Sequence, residues 1–186
     1  MKTFLFTALA IIMWLSVFSQ EYSEIVEIEG KTAGQLYNSA HEWMAIVFNS
    51  ANDVIQLADP ENKKLIAKGT KTIEHVVNGI SAPITMYFTL VAEFKEARYR
   101  YQVYSTKFTS RDGTEYDYET LKETATEEGL LNYYKKVGVK PWIIGKKVIA
   151  ENLKYNKQLL ENANNALQDI PESLKTALSK KENDNW

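Results

Sequence analysis

Apolar and polar positions change period several times along the chain, and each change marks an element. Two stretches alternate. From Ile84 to Phe94, Ile84, Met86, Phe88, Leu90, Ala92 and Phe94 fall on one side, against Thr85, Tyr87, Thr89, Val91 and Glu93. From Arg98 to Phe108, Tyr99, Tyr101 and Val103 oppose Arg98, Arg100, Gln102 and Tyr104. A period of two is the signature of a half-buried strand. The short break Lys95-Glu96-Ala97 joins the two runs into a β-hairpin. Upstream, Tyr22, Ile25, Val26 and Ile28 predict a first strand over 21–30, closed by Gly30. The period then changes: Leu36, Tyr37, Ala40, Trp43, Met44, Val47, Phe48 and Ala51 recur at three and four, which predicts a helix within 31–52 with Thr32 as N-cap.

Val54–Ala58 and Lys64–Glu74 read as a second hairpin about the turn Asp59-Pro60-Glu61-Asn62, with a further turn at Asn78-Gly79 and Ser81–Pro83 closing the connection. From Tyr116 onward the pattern is helical. Tyr118–Lys136 runs from Glu119, Glu123, Glu127 and Glu128 to Lys135 and Lys136, an order that suits a helix dipole, although Gly129 weakens a continuous helix. Gly138–Pro141 interrupts, and a second helix is predicted over Trp142–Gln168. Pro171 is expected to break it, leaving a last short helix over Glu172–Ser179.

Residues 1–20 stand apart. Lys2, the apolar run Phe4–Phe18, and the small residues near Val17 and Ser19 form an export signal, with cleavage after Ser19 or Gln20. The run is about 15 residues, short of the roughly 20 that a spanning helix needs, so no stable membrane span is expected after cleavage. The expected location is therefore periplasmic or extracellular. Composition then limits the possibilities. The 186 residues include no cysteine, so an exported domain must hold itself by packing rather than disulfides. A net charge of −2 argues against a nucleic-acid partner. The fold expected is α+β. An antiparallel sheet of about five strands curves over the N-terminal amphipathic helix, and C-terminal helices either pack on the sheet or project from it. The chain divides into a signal peptide (1–20), an α+β domain (21–110) and a helical C-terminal extension (111–186).

Several short pieces, in this order and spacing, resemble the bacterial secreted family called domain of unknown function 4468, which has a TBP-like fold. They are Glu27-Ile28-Glu29-Gly30-Lys31-Thr32-Ala33, Leu36-Tyr37 with Trp43 and Phe48, Val54-Ile55-Gln56, Ala67-Lys68-Gly69 and Ala97-Arg98-Tyr99-Arg100-Tyr101. The resemblance spans about residues 22–110. It implies the TBP-like fold and no mechanism, and fold does not carry DNA binding with it. One departure is Ala97, where the pattern has Gly before Arg-Tyr-Arg; it implies a different turn type there.

Catalytic and metal signatures do not emerge. His41-Glu42 lacks the second histidine of a zincin, because Ala45 holds that position, and His75 is the only other histidine. Asp112–Asp117 clusters oxygens without the spacing of a calcium loop. No catalytic set and no cofactor are expected. Two surfaces remain as candidates for binding. Arg98, Arg100 and Tyr104 share one face of a strand, where guanidiniums can grip a carboxylate or sulfate. Lys135 and Lys136, with Lys140, Lys146 and Lys147, surround Tyr133, Tyr134 and Trp142, a mixture that suits an anionic surface, a lipid headgroup or a polysaccharide. The leading expectation is a non-enzymatic exported binding module for a protein, glycan or small ligand. The alternatives are a carrier with an apolar cavity lined by Trp43, Phe48, Met86 and Phe88, and an enzyme whose paired carboxylates sequence alone does not show.

Overall fold

The computed structural model describes residues 21–48, 54–77 and 80–180. The export signal expected over residues 1–20 and the chain's last residues lie outside them, as does the expected Asn78-Gly79 turn. The strands are β1 (Glu21–Glu27), β2 (Ile55–Asp59), β3 (Lys64–Ile73), β4 (Val76–Val77), β5 (Ile80–Ser81), β6 (Ile84–Lys95), β7 (Arg98–Thr109) and β8 (Glu115–Tyr116). The helices are α1 (Ala33–Val47), α2 (Tyr118–Thr124), α3 (Glu127–Lys136) and α4 (Lys146–Ser179), with a 3-10 turn at Pro141–Ile143. The main sheet is antiparallel in the order β1-β7-β6-β3-β2, β8 pairs with β7, and β4-β5 form a separate ribbon.

The long hairpin is the middle of this sheet. Its alternation sends Met86, Phe88, Leu90, Ala92, Tyr99, Tyr101 and Val103 to one side, where all are buried. That side carries both long helices. Leu36, Ala40 and Met44 of α1 and Leu159, Ala163, Leu167, Leu174 and Leu178 of α4 join the same core cluster. Polar bonds stitch the helices in place. Trp43 Nε1 donates to Ser173 Oγ at 3.0 Å. Lys71 Nζ reaches Asp169 at 2.7 Å. Asn162 Nδ2 donates to the Glu74 carbonyl at 3.1 Å and Asn156 Nδ2 to the Thr124 carbonyl at 3.0 Å. The C-terminal helix is thus part of the core.

Thr32 caps α1 in a reciprocal capping box with Gln35, as its N-cap chemistry predicts. Three expectations need correction. Pro171 does not end the last helix: α4 runs 34 residues through it. Pro171 is itself buried there, and apolar packing on both sides of it, by Leu167, Ile170 and Leu174, offsets the hydrogen bond that proline cannot donate. Tyr118–Lys136 is two helices. Thr126 caps α3 by accepting from Gly129 N at 3.1 Å, and α2 ends at Thr124. The hairpin turn at Ala97 takes φ 57, the left-handed conformation that the missing glycine would adopt, so the substitution does not displace it from that region. The β1–α1 connection clamps it: Ile28 N donates to the Ala97 carbonyl at 2.7 Å, and Ala97 N to the Lys31 carbonyl at 2.9 Å.

Gly129 explains the break between α2 and α3. A Cβ at this position would lie 2.1 Å from the carbonyl oxygen of Glu123, the backbone that ends α2. Helix propensity favours alanine over glycine by about 1 kcal/mol. Crowding a packed backbone costs about 1–3 kcal/mol, and so close a contact belongs at the upper end. Gly129→Ala is therefore expected to lower stability by about 2 kcal/mol in urea unfolding. A gain in stability would mean the junction is not packed as described.

Candidate binding surface

Among the described residues no helix covers the sheet side opposite α1 and α4, and register sets its side chains in rows. One row runs Ile25, Arg100, Glu93, Lys64 across β1, β7, β6 and β3. The next runs Ser23, Gln102, Val91, Ile66, Leu57, and a third holds Tyr104, Thr89 and Lys68. Arg98, Arg100 and Tyr104 therefore share this face, as strand periodicity predicts; the arginines are exposed and Tyr104 is half-buried.

The charges in the first row are already matched. Glu93 accepts from Lys64 at 3.1 Å and from Arg100 at 2.5 Å. These bonds hold its carboxyl below the usual range, Lys64 contributing most. Arg98 and Lys95 make no ion pair among the described residues. They border a cleft of about 210 Å³ together with Ile25, Glu93, Arg100 and the backbone side of buried Tyr99. Ile25 is 61% exposed there. Sequence reasoning placed Ile25 only in an apolar strand. Its neighbour Val26 was the available signal, because two adjacent apolar residues on one strand must face opposite sides.

The second candidate group lies elsewhere, around the α3–α4 connection. Lys135 and Lys136 end α3, Trp142 sits in the 3-10 turn, and all three are exposed. Among the described residues no hydrogen bond, ion pair or ring contact joins this group to Arg98, Arg100 or Tyr104.

The other candidate residues have local roles. Asp112 accepts from Ser110 Oγ at 2.5 Å and Thr114 N at 3.0 Å, Asp117 caps α2, and Glu115 pairs with Lys107 at 2.6 Å. Among the described residues no group of three or more His, Cys, Asp or Glu is placed to hold a metal ion. Three of the residues expected to line a carrier cavity have neighbouring rings. Phe48 lies 5.6 Å from Trp43 and 5.6 Å from Phe88, ring centre to ring centre, while Met86 and Phe88 are buried. Phe88 in turn lies over Gly69, where a Cβ would come within 2.6 Å of Cζ.

His41 is exposed, but His75 is 1% exposed, with neither ring nitrogen hydrogen-bonded among the described residues. Its ring packs edge-on against Tyr155 at 4.4 Å. Burial holds its imidazole below the ordinary pKa. Sequence gave no sign of this, because a lone histidine at a strand end has no periodicity to place it.

Comparison with known proteins agrees with this fold. Residues 22–110 match the family described as a domain of unknown function (DUF4468) with TBP-like fold. A crystal structure of a DUF4468 family protein from Bacteroides ovatus superposes with a TM-score of 0.57 at 13% identity, covering 89% of each chain. A TBP-like protein from Parabacteroides distasonis gives 0.48 at 11% identity, covering 83% of this chain and 92% of its own. At these identities the likeness concerns the fold alone. No curated protein matches the chain.

The neutral form of His75 is the one the fold favours. Its contribution is complete above the unfolded pKa of about 6.5 and is lost as pH falls below that value. Urea midpoints are therefore expected to drop between pH about 7.5 and 5.5. His75→Phe should flatten that segment and keep the steeper loss at lower pH, where Glu93 and Asp112 are protonated. An unchanged slope in the variant would assign the dependence to other groups.

Proposed function

We propose that the protein is exported and acts as a non-enzymatic binding module that takes its partner on the bare sheet face at Arg98, Arg100 and Tyr104. The observation that carries this reading is the cleft beside β1. An isoleucine 61% exposed is bordered by cations of which Arg98 and Lys95 have no ion-pair partner among the described residues. An exposed aliphatic floor with unpaired cations suits a group that joins a carboxylate or sulfate to an apolar moiety, on a protein, a glycan or a small ligand. Arg100 is engaged by Glu93, so Arg98 is the principal anchor and Arg100 fixes the wall.

Export is supported by Lys2, the apolar run 4–18 and the small residues at its end. The destination is the periplasm or the outside of the cell. Among the described residues no helix is long and apolar enough to cross a membrane. The net charge of −2 lends no support to a nucleic-acid partner.

The test is a fluorescence-polarisation titration with short peptides carrying Asp or Glu beside Leu, their amide counterparts, and a sulfated disaccharide. Acidic or sulfated probes are expected to bind in preference to neutral ones. Arg98→Ala should weaken that binding about ten-fold or more, the worth of one charge-assisted hydrogen bond. Equal binding of acid and amide probes, or affinity unchanged in Arg98→Ala, would remove this face from consideration.

A further inference from the structure

Six of the eleven large apolar residues exposed among the described residues fall within 133–148. Trp142 is 78% and Ile143 73% exposed, and Val137, Val139 and Val148 are exposed in the same stretch. Exposed apolar residues scattered singly need no explanation, but a contiguous patch marks a contact site. The same sixteen-residue stretch, YYKKVGVKPWIIGKKV, holds five lysines and no acid, in a chain whose acids outnumber its bases by 24 to 22. Of those lysines only Lys147 makes an ion pair among the described residues, a loose one to Glu151 at 3.9 Å. Lys140 lies over the Trp142 ring at 5.9 Å.

The connection has a defined backbone. Gly138 takes φ 80, Val139 N donates to the Tyr134 carbonyl at 2.8 Å, and Ile143 N to the Lys140 carbonyl at 3.0 Å. Asn152 Nδ2 donates to Tyr134 Oη at 2.6 Å, tying α4 to the end of α3. Trp142 and Ile143 are thus presented on a braced turn rather than tucked against the domain.

We propose that this connection docks the protein on an anionic phospholipid bilayer, with Trp142 and Ile143 at the boundary between headgroups and acyl chains and the lysines among the headgroups. The stretch complements such a bilayer in two ways. Tryptophan belongs energetically at the membrane interface, where its ring is apolar and its N–H stays wet. Lysines beside an anionic leaflet gain about five-fold in affinity each. The aliphatic residues favour lipid over an anionic polysaccharide, which offers charge but no hydrocarbon to receive Ile143 or Val139. The overall negative charge is no obstacle, because salt screens charges beyond about 8–10 Å and the lysines are local. This surface shares no residue with the Arg98 cleft, so the inference stands or falls independently of that reading.

The lack of cysteine makes the test direct. Ile143→Cys in the full chain carries a single NBD label, and Lys157→Cys, exposed on α4, carries the control label. With vesicles of phosphatidylglycerol and phosphatidylcholine, the label at 143 should shift to the blue and brighten several-fold, and brominated acyl chains should quench it. The label at 157 should not respond. Lys135→Glu combined with Lys136→Glu and Lys140→Glu should reduce apparent vesicle affinity at least ten-fold. Because the readout is local to the turn, attachment of the chain by its N-terminal segment does not imitate it. No response at 143, or an equal response at 157, would overturn the proposal. A response to dextran sulfate without quenching by brominated lipid would overturn it in favour of a polyanion.

Discussion

The helix-facing side of the β6–β7 hairpin governs this structure. Alternation along two twelve-residue strands, shifted once where Thr106 bulges opposite Tyr87 and Phe88, puts a largely apolar surface on one side of the sheet. Such a surface is stable only when covered, since each large side chain withdrawn from water contributes about 1.5–3 kcal/mol. One helix is too narrow for it. α1 packs against β6 and β7 with Leu36, Ala40 and Met44, and α4 lies beside it, bringing Leu159 to Leu178 over β1, β7 and β3. Without disulfides, this burial and the bonds that fix the helices in register carry the fold.

This requirement also decides what is left for function. The covered side is occupied by aromatic and aliphatic packing, from Phe94 against Tyr37 to Phe108 against Tyr116 and Tyr118. Burial holds Tyr99, Tyr101 and Tyr118 in their neutral form, and Tyr101, which also donates to Glu24, has its pKa pushed up to about 12. They serve packing, and the surfaces proposed for contact are the ones the helices do not cover. Those are the bare face of the sheet, and the α3–α4 turn that α4 needs in order to reverse onto the sheet. The aromatic content of the described residues is divided accordingly: most rings are core, while Trp142 and the partly exposed Tyr104 and Tyr133 face outward.

Elements with a long, clean period were legible in the sequence. The hairpin, α1 with its Thr32 cap, and the β2–β3 pair stand where alternation and turn residues place them, within a residue or two at most ends. The face shared by Arg98, Arg100 and Tyr104 followed from period two alone. Tertiary context decided the rest. Pro171 stays helical because α4 is held by packing on both sides of it. Gly129 marks a helix junction because of a carbonyl six residues earlier in the chain. β4, β5 and β8 are two-residue pairings with no periodicity to read. The pairing of Glu93 with both Lys64 and Arg100 required cross-strand register, which local pattern does not supply. It is what singles out Arg98 from its neighbour.

The central claim is that α4 belongs to the core and leaves the opposite sheet face as the bare one. Native-state hydrogen exchange tests it most directly. Amides of Leu159–Leu178 should open with the same free energy as those of Met86–Phe94 and Tyr99–Val103, and Leu167→Ala should lower all three together. If the α4 amides instead exchange through an opening about 2 kcal/mol or more below that of the hairpin, and Leu167→Ala leaves the hairpin unchanged, the helix is an appendage and the assignment of the two sheet faces fails.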